Sequence, residues 1–365
     1  MTEERPPASQ VYTWEPSNTA IAARYGLRPE DVLRFDTNTS PLPPPFVAEA
    51  LAGPFEPPLN EYPDSAYEEL TAAAAAYTGV APHEVIVGAG ADEILDLVAK
   101  AYLTAGSAAL VPIPTYAMYG VLTAQRAARL VSVPRKRDDL FRLDLDRVIE
   151  ELPHVSVAWL CSPNNPTGAV EPQVNIEAIL RAGVQLPVPP LIVVDEAYFE
   201  FATETVIPWR TRYPNVLAVR TVSKAFALAG ARVGVAVAGR AVIERLERVR
   251  PPGSISTSSA HLGARALRSP AYALANVHML SAERDWLAVQ LLTLGWQASP
   301  SVTNFLLVRV GDHDAAERAA DALLHAGIVP RTFGPANPLR GHLRLTVRTR
   351  VENERLLDVV SRLNL

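Results

Sequence analysis

From residue 65 onward the chain switches repeatedly between two hydrophobic patterns. EVIVG (84–88) is a short continuous apolar run and reads as a buried strand. DEILDLVAKAYL, starting at Asp92, places Ile94, Leu95, Leu97 and Val98 on one side of a helix. SAALVPIP, VSVAWLCS, LIVVDEA, NVLAVRTVSK and ARVGVAVAG supply five further strand candidates. Most are unbroken runs, the pattern of a sheet covered by helices on both faces. SAYE (65–68) matches a capping box, in which Ser65 caps an alanine-rich helix and Glu68 reaches back. That helix should stop near Gly79.

The two ends of the chain differ from this middle. Residues 1–45 are proline-rich and lack long periodicity, so they read as an N-terminal arm. PLPPPF (41–46) should be extended, because each proline disfavours helix before it. After Pro251-Pro252-Gly253 a serine-rich stretch leads into long helical segments (262–294), then NFLLVRV, a helix near 314–326, and GHLRLTV. With 365 residues, about two domains are expected at roughly 100–200 residues each. The expected division is an arm at 1–45, a large α/β domain at 46–252 with a mainly parallel sheet between helices, and a smaller C-terminal α+β domain at 253–365.

Composition narrows the function classes. The net charge is −5, with no basic surplus to attract nucleic acid and no basic amphipathic segment for a membrane surface. MTEERPPASQ has no apolar core of a secretory signal, and no apolar run approaches the ~18 residues of a membrane span. Cys161 is the only cysteine, so neither a disulfide framework nor a cysteine-rich zinc site is expected. No metal is expected, and a cytoplasmic enzyme fits these absences. Lysine occurs only at Lys100, Lys136 and Lys224, although Lys and Arg together number 34. Only a lysine amine can lose its proton and attack a carbonyl. Lys136 in PRKRDD reads as a solvated loop and Lys100 as a helix surface, which singles out Lys224 in TVSKAFALAG.

The unusual polar residues fall where strands end. EVIV runs into Gly88-Ala89-Gly90-Ala91-Asp92, VAWLCS into Pro163-Asn164-Asn165-Pro166, LIVV into Asp195-Glu196-Ala197-Tyr198, and LAVRT into Val222-Ser223-Lys224. Ligands of open parallel sheets collect at those ends. A dinucleotide site is rejected, because the third glycine position is Glu93 and no acidic residue follows about 20 residues on. The free amides of Ala91 and Asp92 still suit an anion, though a plain tight turn with Asp92 as cap would leave the same residues. Asp195 ends an apolar strand and needs a partner, which a helix cap or an internal salt bridge could also supply. Asn164 and Asn165 lie between two prolines, where a rigid turn is the plain alternative to a site role. Arg232 is expected to be buried at the start of a strand, where an anion would satisfy its donor fork.

Taken together, SPNNPTG (162–168), VVDEAYFEF (193–201) and SKAFALAGARVG (223–234) resemble the fold-type I pyridoxal-phosphate aminotransferases in order and spacing. Within them the chain most resembles the histidinol-phosphate aminotransferases. That likeness extends from YGLRPEDVLRFDTN (25–38) through EYPD (61–64), GAGADE (88–93), PTYAMY (114–119) and NFLLVRV (304–310) to GHLRLTVRT (341–349).

The resemblance implies a role for each position. Lys224 would carry pyridoxal 5'-phosphate and shuttle a proton. Asp195 would pair with the ring nitrogen, Asn165 and Tyr198 with the ring oxygen, and Tyr116 would stack on the ring. The phosphate would meet the amides of Ala91 and Asp92, Ser223 and Arg232, with Thr221 a weaker candidate. Tyr62 would reach the site of the other subunit, which makes the enzyme a homodimer with shared sites. Arg344 would bind the α-carboxylate, although an exposed charge like Arg348 and Arg350 is the plain alternative. Tyr12 and Arg331 would bind the phosphate of the substrate, and Asn38 would join the substrate contacts. The partners implied are an amino donor and a 2-oxo acid acceptor.

The chain departs from the family pattern at Thr39, Ser40, Pro43 and Arg348, where an acidic residue, an amide and two glycines are usual. An aromatic or broad-range aminotransferase, a threonine-phosphate decarboxylase and a silent relative are the alternatives. The complete set Lys224, Asp195, Asn165, Tyr198 and Arg232 argues against the last.

Overall fold

The apolar runs assemble into one sheet, in a computed structural model that describes residues 15–363. A first short strand, β1 (Leu33–Arg34), lies apart from it. The sheet itself comprises β2 (Val85–Gly88), β3 (Ala108–Ile113), β4 (Arg129–Pro134), β5 (Val157–Cys161), β6 (Leu191–Asp195), β7 (Val216–Thr221) and β8 (Gly234–Ala238). Its order is β2-β8-β7-β6-β5-β3-β4. Only β8 runs against its neighbours, pairing antiparallel with both β7 and β2. The sheet is therefore mainly parallel, and six strands end at the same edge.

Both faces of the sheet are buried. Along β6, Ile192 and Val194 enter one apolar cluster, while Leu191 and Val193 enter another on the opposite face. This double burial is why the central strands read as continuous runs and not as alternation. The expected helix begins at Ala91 and runs to Tyr102, with Ile94, Leu95, Leu97 and Val98 all buried.

The sequence pattern does not reveal β4. RLVSVP is an edge strand pairing only with β3, and its burial alternates, so it lacks the continuous apolar signature of its neighbours. The capping box at Ser65 does not form. The helix begins at Glu68, and Asp64 accepts the N–H groups of Ala66 and Glu68 at 3.0 and 2.7 Å. Tyr67 takes a left-handed conformation with φ of 50°, which turns its ring into the core; its hydroxyl accepts from the Ile255 N–H at 2.9 Å. The helix does end at Gly79, at φ of 70°.

The C-terminal part forms a second sheet from β9 (Gln297–Ala298), β10 (Phe305–Arg309) and β12 (His342–Thr346), all antiparallel. The helices Pro270–Thr293, His313–His325 and Arg350–Val360 supply Leu287, Leu291, Ala319, Leu323 and Leu356 to its core. The N-terminal stretch is more structured than its prolines suggest. Ser17 caps a helix over Asn18–Tyr25, and β1 pairs in parallel with β11 (Ile328–Val329). Phe35 is fully buried in the C-terminal cluster, so this stretch packs with the chain's other end.

Candidate active site

Four strand ends converge on one solvent-open cavity. Its lining includes Ala91, Asp92, Tyr116, Asn165, Asp195, Tyr198, Ser223, Lys224 and Arg232. Strand register explains the convergence. Asp195 pairs with Cys161 on one side and Val219 on the other, so β5, β6 and β7 release their loops side by side.

Lys224 stands in the turn after β7. Its Nζ donates to the Asn38 carbonyl at 3.1 Å and lies 5.7 Å from the centre of the Tyr198 ring. Burial, followed by the positive charge of Arg344, lowers its pKa to about 8. The other two lysines are on the surface, paired with Asp96 and Asp144.

Asp195 is 4 % exposed. Its Oδ2 accepts from the Tyr119 hydroxyl at 2.7 Å and its Oδ1 from the Ala197 N–H at 3.0 Å. Burial pushes its pKa up to about 6, against the downward pull of these two donors. Tyr198 is also buried, which raises its pKa, and its hydroxyl accepts from Asn38 Nδ2 at 3.0 Å. Asn38 has a positive φ of 53°, donates its N–H to Thr346 Oγ1 at 2.9 Å, and accepts from Asn304 Nδ2 at 3.0 Å. It thereby ties the N-terminal stretch and the C-terminal sheet to Lys224 and Tyr198.

The neighbouring asparagines divide their work. Asn164 is locked in the turn, donating to the Pro114 carbonyl at 3.1 Å and to Thr167 Oγ1 at 2.9 Å. Asn165 lines the cavity and accepts from Arg344 Nη1 at 2.7 Å. Arg344 is buried, not an exposed edge charge. Its Nη2 donates to the Asp36 carbonyl, and its buried Nε has no hydrogen-bond partner among the described residues. Arg331 pairs with Arg344 through backbone hydrogen bonds of 3.1 and 3.0 Å, and its side chain meets Glu15 at 2.9 Å. Arg348 differs from the expectation of an exposed charge. It is largely buried, bonding Glu352 at 2.7 Å and the Arg34 carbonyl at 3.2 Å. Arg350 is half-exposed, and it pairs with Glu283 at 3.0 Å.

At the other end of the cavity the backbone is tightly drawn. A Cβ on Gly234 would lie 2.4 Å from the Gly90 carbonyl carbon and 2.6 Å from the Ala91 nitrogen. Glycine at both positions lets β8 press the helix start against the wall of the cavity. Arg232 is not buried as expected. Its side chain is 48 % exposed, its φ is 51°, and the strand begins two residues later at Gly234. Its anion within the chain is Asp92, at 3.0 Å, whose other oxygen accepts from the Tyr116 hydroxyl at 2.8 Å. Asp92 therefore does not cap the helix; Gly90 occupies that position. Ser223 is buried, with its N–H on Thr221 Oγ1 at 3.1 Å.

Tyr62 is 92 % exposed in the single chain. Tyr12 lies outside the described residues. Thr37, Thr39, Cys161, Ala197 and Ala229 also line the cavity, and Tyr119 stands directly behind it; the sequence pattern assigns none of these six to the site. Tyr119 carries a usable signal, since a tyrosine on a buried helix face needs a partner for its hydroxyl.

Comparison with known proteins agrees with this geometry. Residues 30–360 match the family model for aminotransferases of class I and II. A histidinol-phosphate aminotransferase from Ruminiclostridium cellulolyticum is 34% identical over 332 residues, covering 89% of this chain and 91% of the relative. A crystal structure of the Sinorhizobium meliloti histidinol-phosphate aminotransferase in complex with pyridoxal-5'-phosphate superposes with a TM-score of 0.87. It is 26% identical and covers 99% of this chain and 97% of its own. Thermus thermophilus aspartate aminotransferase with maleate reaches a TM-score of 0.80 at 26% identity, covering 98% of this chain and 100% of its own. With the family model spanning nearly the whole sequence and the polar strand ends meeting in one cavity, this chain belongs to the class I and II aminotransferases.

Proposed function

We propose that the protein moves an amino group from histidinol phosphate to 2-oxoglutarate, using pyridoxal 5'-phosphate held at Lys224. The observation that carries this reading is an amine and a buried carboxylate, Lys224 and Asp195, lining one cavity. The residues present suit the cofactor. Asp195 is a buried anion whose hydrogen bonds come from neutral donors, a fitting partner for a protonated ring nitrogen. The amides of Ala91 and Asp92, with Ser223 and Arg232 beside them, provide donors for a phosphate. Asn165 and Tyr198 are assigned to the ring oxygen and Tyr116 to the ring face.

When bound, the cofactor supplies an aldehyde carbon for the amino group and a ring that delocalises the electron pair left on the substrate α-carbon. The chain does the rest. Lys224 Nζ removes and returns the proton at that α-carbon, and its lowered pKa leaves part of it neutral near pH 7–8. Asp195 keeps a proton on the ring nitrogen. Arg344 binds the α-carboxylate of the substrate through its fork, and Asn38 holds Tyr198 in place. Arg331 and Tyr12 are assigned to the phosphate at the far end of the donor.

Likeness of fold does not choose the donor, because histidinol-phosphate and aspartate aminotransferases superpose at the same 26% identity. The choice rests on the curated relatives at 34% identity, named for histidinol phosphate. On this reading the enzyme serves histidine biosynthesis in the cytoplasm. It works as a homodimer in which Tyr62 reaches the partner's site.

Two assays test the proposal. Borohydride treatment of the purified protein should fix a pyridoxyl group to the Lys224 peptide alone; label on Lys100 or Lys136 would refute the assignment. Histidinol phosphate, phenylalanine and threonine phosphate are then compared with 2-oxoglutarate present. Glutamate should form fastest from histidinol phosphate. Carbon dioxide from threonine phosphate would point instead to a decarboxylase.

A further inference from the structure

Besides the Ala197 N–H, the Asp195 carboxylate has one further hydrogen-bond partner among the described residues. Tyr119 lies in the helix Met118–Gln125, wholly buried, and its hydroxyl donates to Asp195 Oδ2 at 2.7 Å. The ring is fixed on two sides. It stacks on Trp159 of β5 at 5.5 Å and an interplanar angle of 7°, and meets the Tyr116 ring edge-on at 5.7 Å. A second link closes behind it: Trp159 Nε1 donates to Thr123 Oγ1 at 3.3 Å, and Thr123 donates to the Tyr119 carbonyl at 2.7 Å. A phenol held this way has little freedom to turn from the carboxylate.

We propose that Tyr119 is a positioning residue, which keeps the Asp195 carboxylate ionised and aimed at the ring nitrogen of the cofactor. This role rests on Asp195 being the partner of the ring nitrogen. A buried carboxylate reverts to its neutral form unless donors stabilise its charge. Oδ1 has the Ala197 N–H, and among the described residues Oδ2 has only this phenol. The other titratable groups facing Asp195 do not replace it. Cys161 at the end of β5 is a buried thiol, and Asp92 at the start of its helix opposes the charge. Lys224 favours the charge only weakly, and Tyr198 gives its hydroxyl to Asn38. A neutral Asp195 could not hold a proton on the ring nitrogen, so Tyr119 acts on the reaction through the carboxylate to which it donates.

The test is Tyr119→Phe, which keeps the ring between Trp159 and Tyr116 and deletes only the donor. Two readouts accompany turnover. One is the affinity of the full-length protein for pyridoxal phosphate. The other is the titration of Asp195 in the cofactor-free chain, read as the infrared carboxyl difference against Asp195→Asn. A hydrogen bond to a charged group accounts for roughly one to two pH units, so the Asp195 midpoint should rise by about that much. Cofactor affinity at pH 7 should fall about 10-fold or more, and 4-aminophenylalanine at position 119 should recover part of both. An unchanged midpoint and an unchanged affinity would overturn the proposal. If Tyr119→Phe does not fold, the 4-aminophenylalanine protein decides alone: a weaker donor at the same place must raise the midpoint, and no movement overturns the idea. Failure of the wild-type protein to take up pyridoxal phosphate would sink the cofactor reading instead, and the infrared midpoint would still decide whether Tyr119 holds the carboxylate charged.

Discussion

At the scale of single residues the chain separates groups by environment. The protein's three lysines differ sharply: Lys100 and Lys136 sit at the surface in ion pairs, whereas Lys224 is enclosed beside Arg344 and Asp195. That enclosure has a consequence for stability. The pKa of Lys224 falls from 10.5 to about 8 on folding, so below pH 8 the folded chain carries a charge it disfavours. The unfolded chain binds more protons between pH 8 and 10.5, and stability rises with pH across that window. Lys224→Met should therefore raise the melting temperature of the cofactor-free protein at pH 7. The gain should shrink from pH 8 upward and vanish above about pH 10.5, as thermal scans across pH would reveal; a gain independent of pH would mean packing and not charge. Arg331 offers a second residue-scale prediction. In its proposed role Arg331 gives the donor's phosphate a hydrogen bond to a charged group worth roughly 1.5–3 kcal/mol, so Arg331→Ala should lower kcat/KM for histidinol phosphate by about 10- to 150-fold. Phenylalanine, which has no distal anion, should lose little. Equal losses for both donors would remove Arg331 from the phosphate contact.

At the scale of elements, legibility in the sequence follows burial. Six strands of the large sheet are readable because both of their faces are covered, as the split of β6 between two apolar clusters illustrates. The edge strand β4 is not, since one of its faces meets solvent and its apolar residues alternate with polar ones. The helix Asn18–Tyr25 is hidden because prolines flank a short segment whose partners include Leu324 and Val329, about 300 residues away. The candidate site is legible only in its parts. Each polar cluster can be read at its strand end, because the turn after a strand is local. What joins the clusters is not local: Asn38 meets Tyr198, Lys224, Asn304 and Thr346, and Tyr119 meets Asp195 from 76 residues away. Arg232 defies its local pattern for the same reason, because its exposure depends on Asp92 and the left-handed turn before β8. The junction of β8 with the helix start yields a test. A methyl group on Gly234 has no room beside Gly90 and Ala91, whose backbone cannot swing away as a side chain could. Gly234→Ala should cost about 1–3 kcal/mol in a denaturant titration and weaken pyridoxal phosphate binding. Gly230→Ala, where a methyl group would meet nothing within 4 Å, is the matched control.

At the scale of the whole molecule, the segment that carries Tyr62 makes little sense for a single chain. Leu42, Leu51 and Leu59 are 56%, 45% and 64% exposed, and Tyr62 is 92% exposed. Large apolar groups left exposed along one stretch of chain suit a surface that meets another molecule. In the proposed homodimer a second copy related by two-fold symmetry covers this stretch, and each Tyr62 serves the other subunit's site. Subunit mixing tests this arrangement. Lys224→Ala is expected to be inactive, and Tyr62→Phe is expected to bind the cofactor weakly. If sites are shared, a mixed dimer has one site built from the intact Lys224 of one chain and the intact Tyr62 of the other. Its second site carries both substitutions. Random exchange makes about half of the dimers mixed, so recovered activity should approach about a quarter of the wild-type value. If Tyr62 served its own chain's site, every site with an intact Lys224 would still carry the Tyr62→Phe substitution. Activity would then stay at the parental level after exchange, which native mass spectrometry can verify independently. Sedimentation of the unmixed protein as a monomer at assay concentrations would defeat the shared site more directly, because Tyr62 would then have no second cavity to reach.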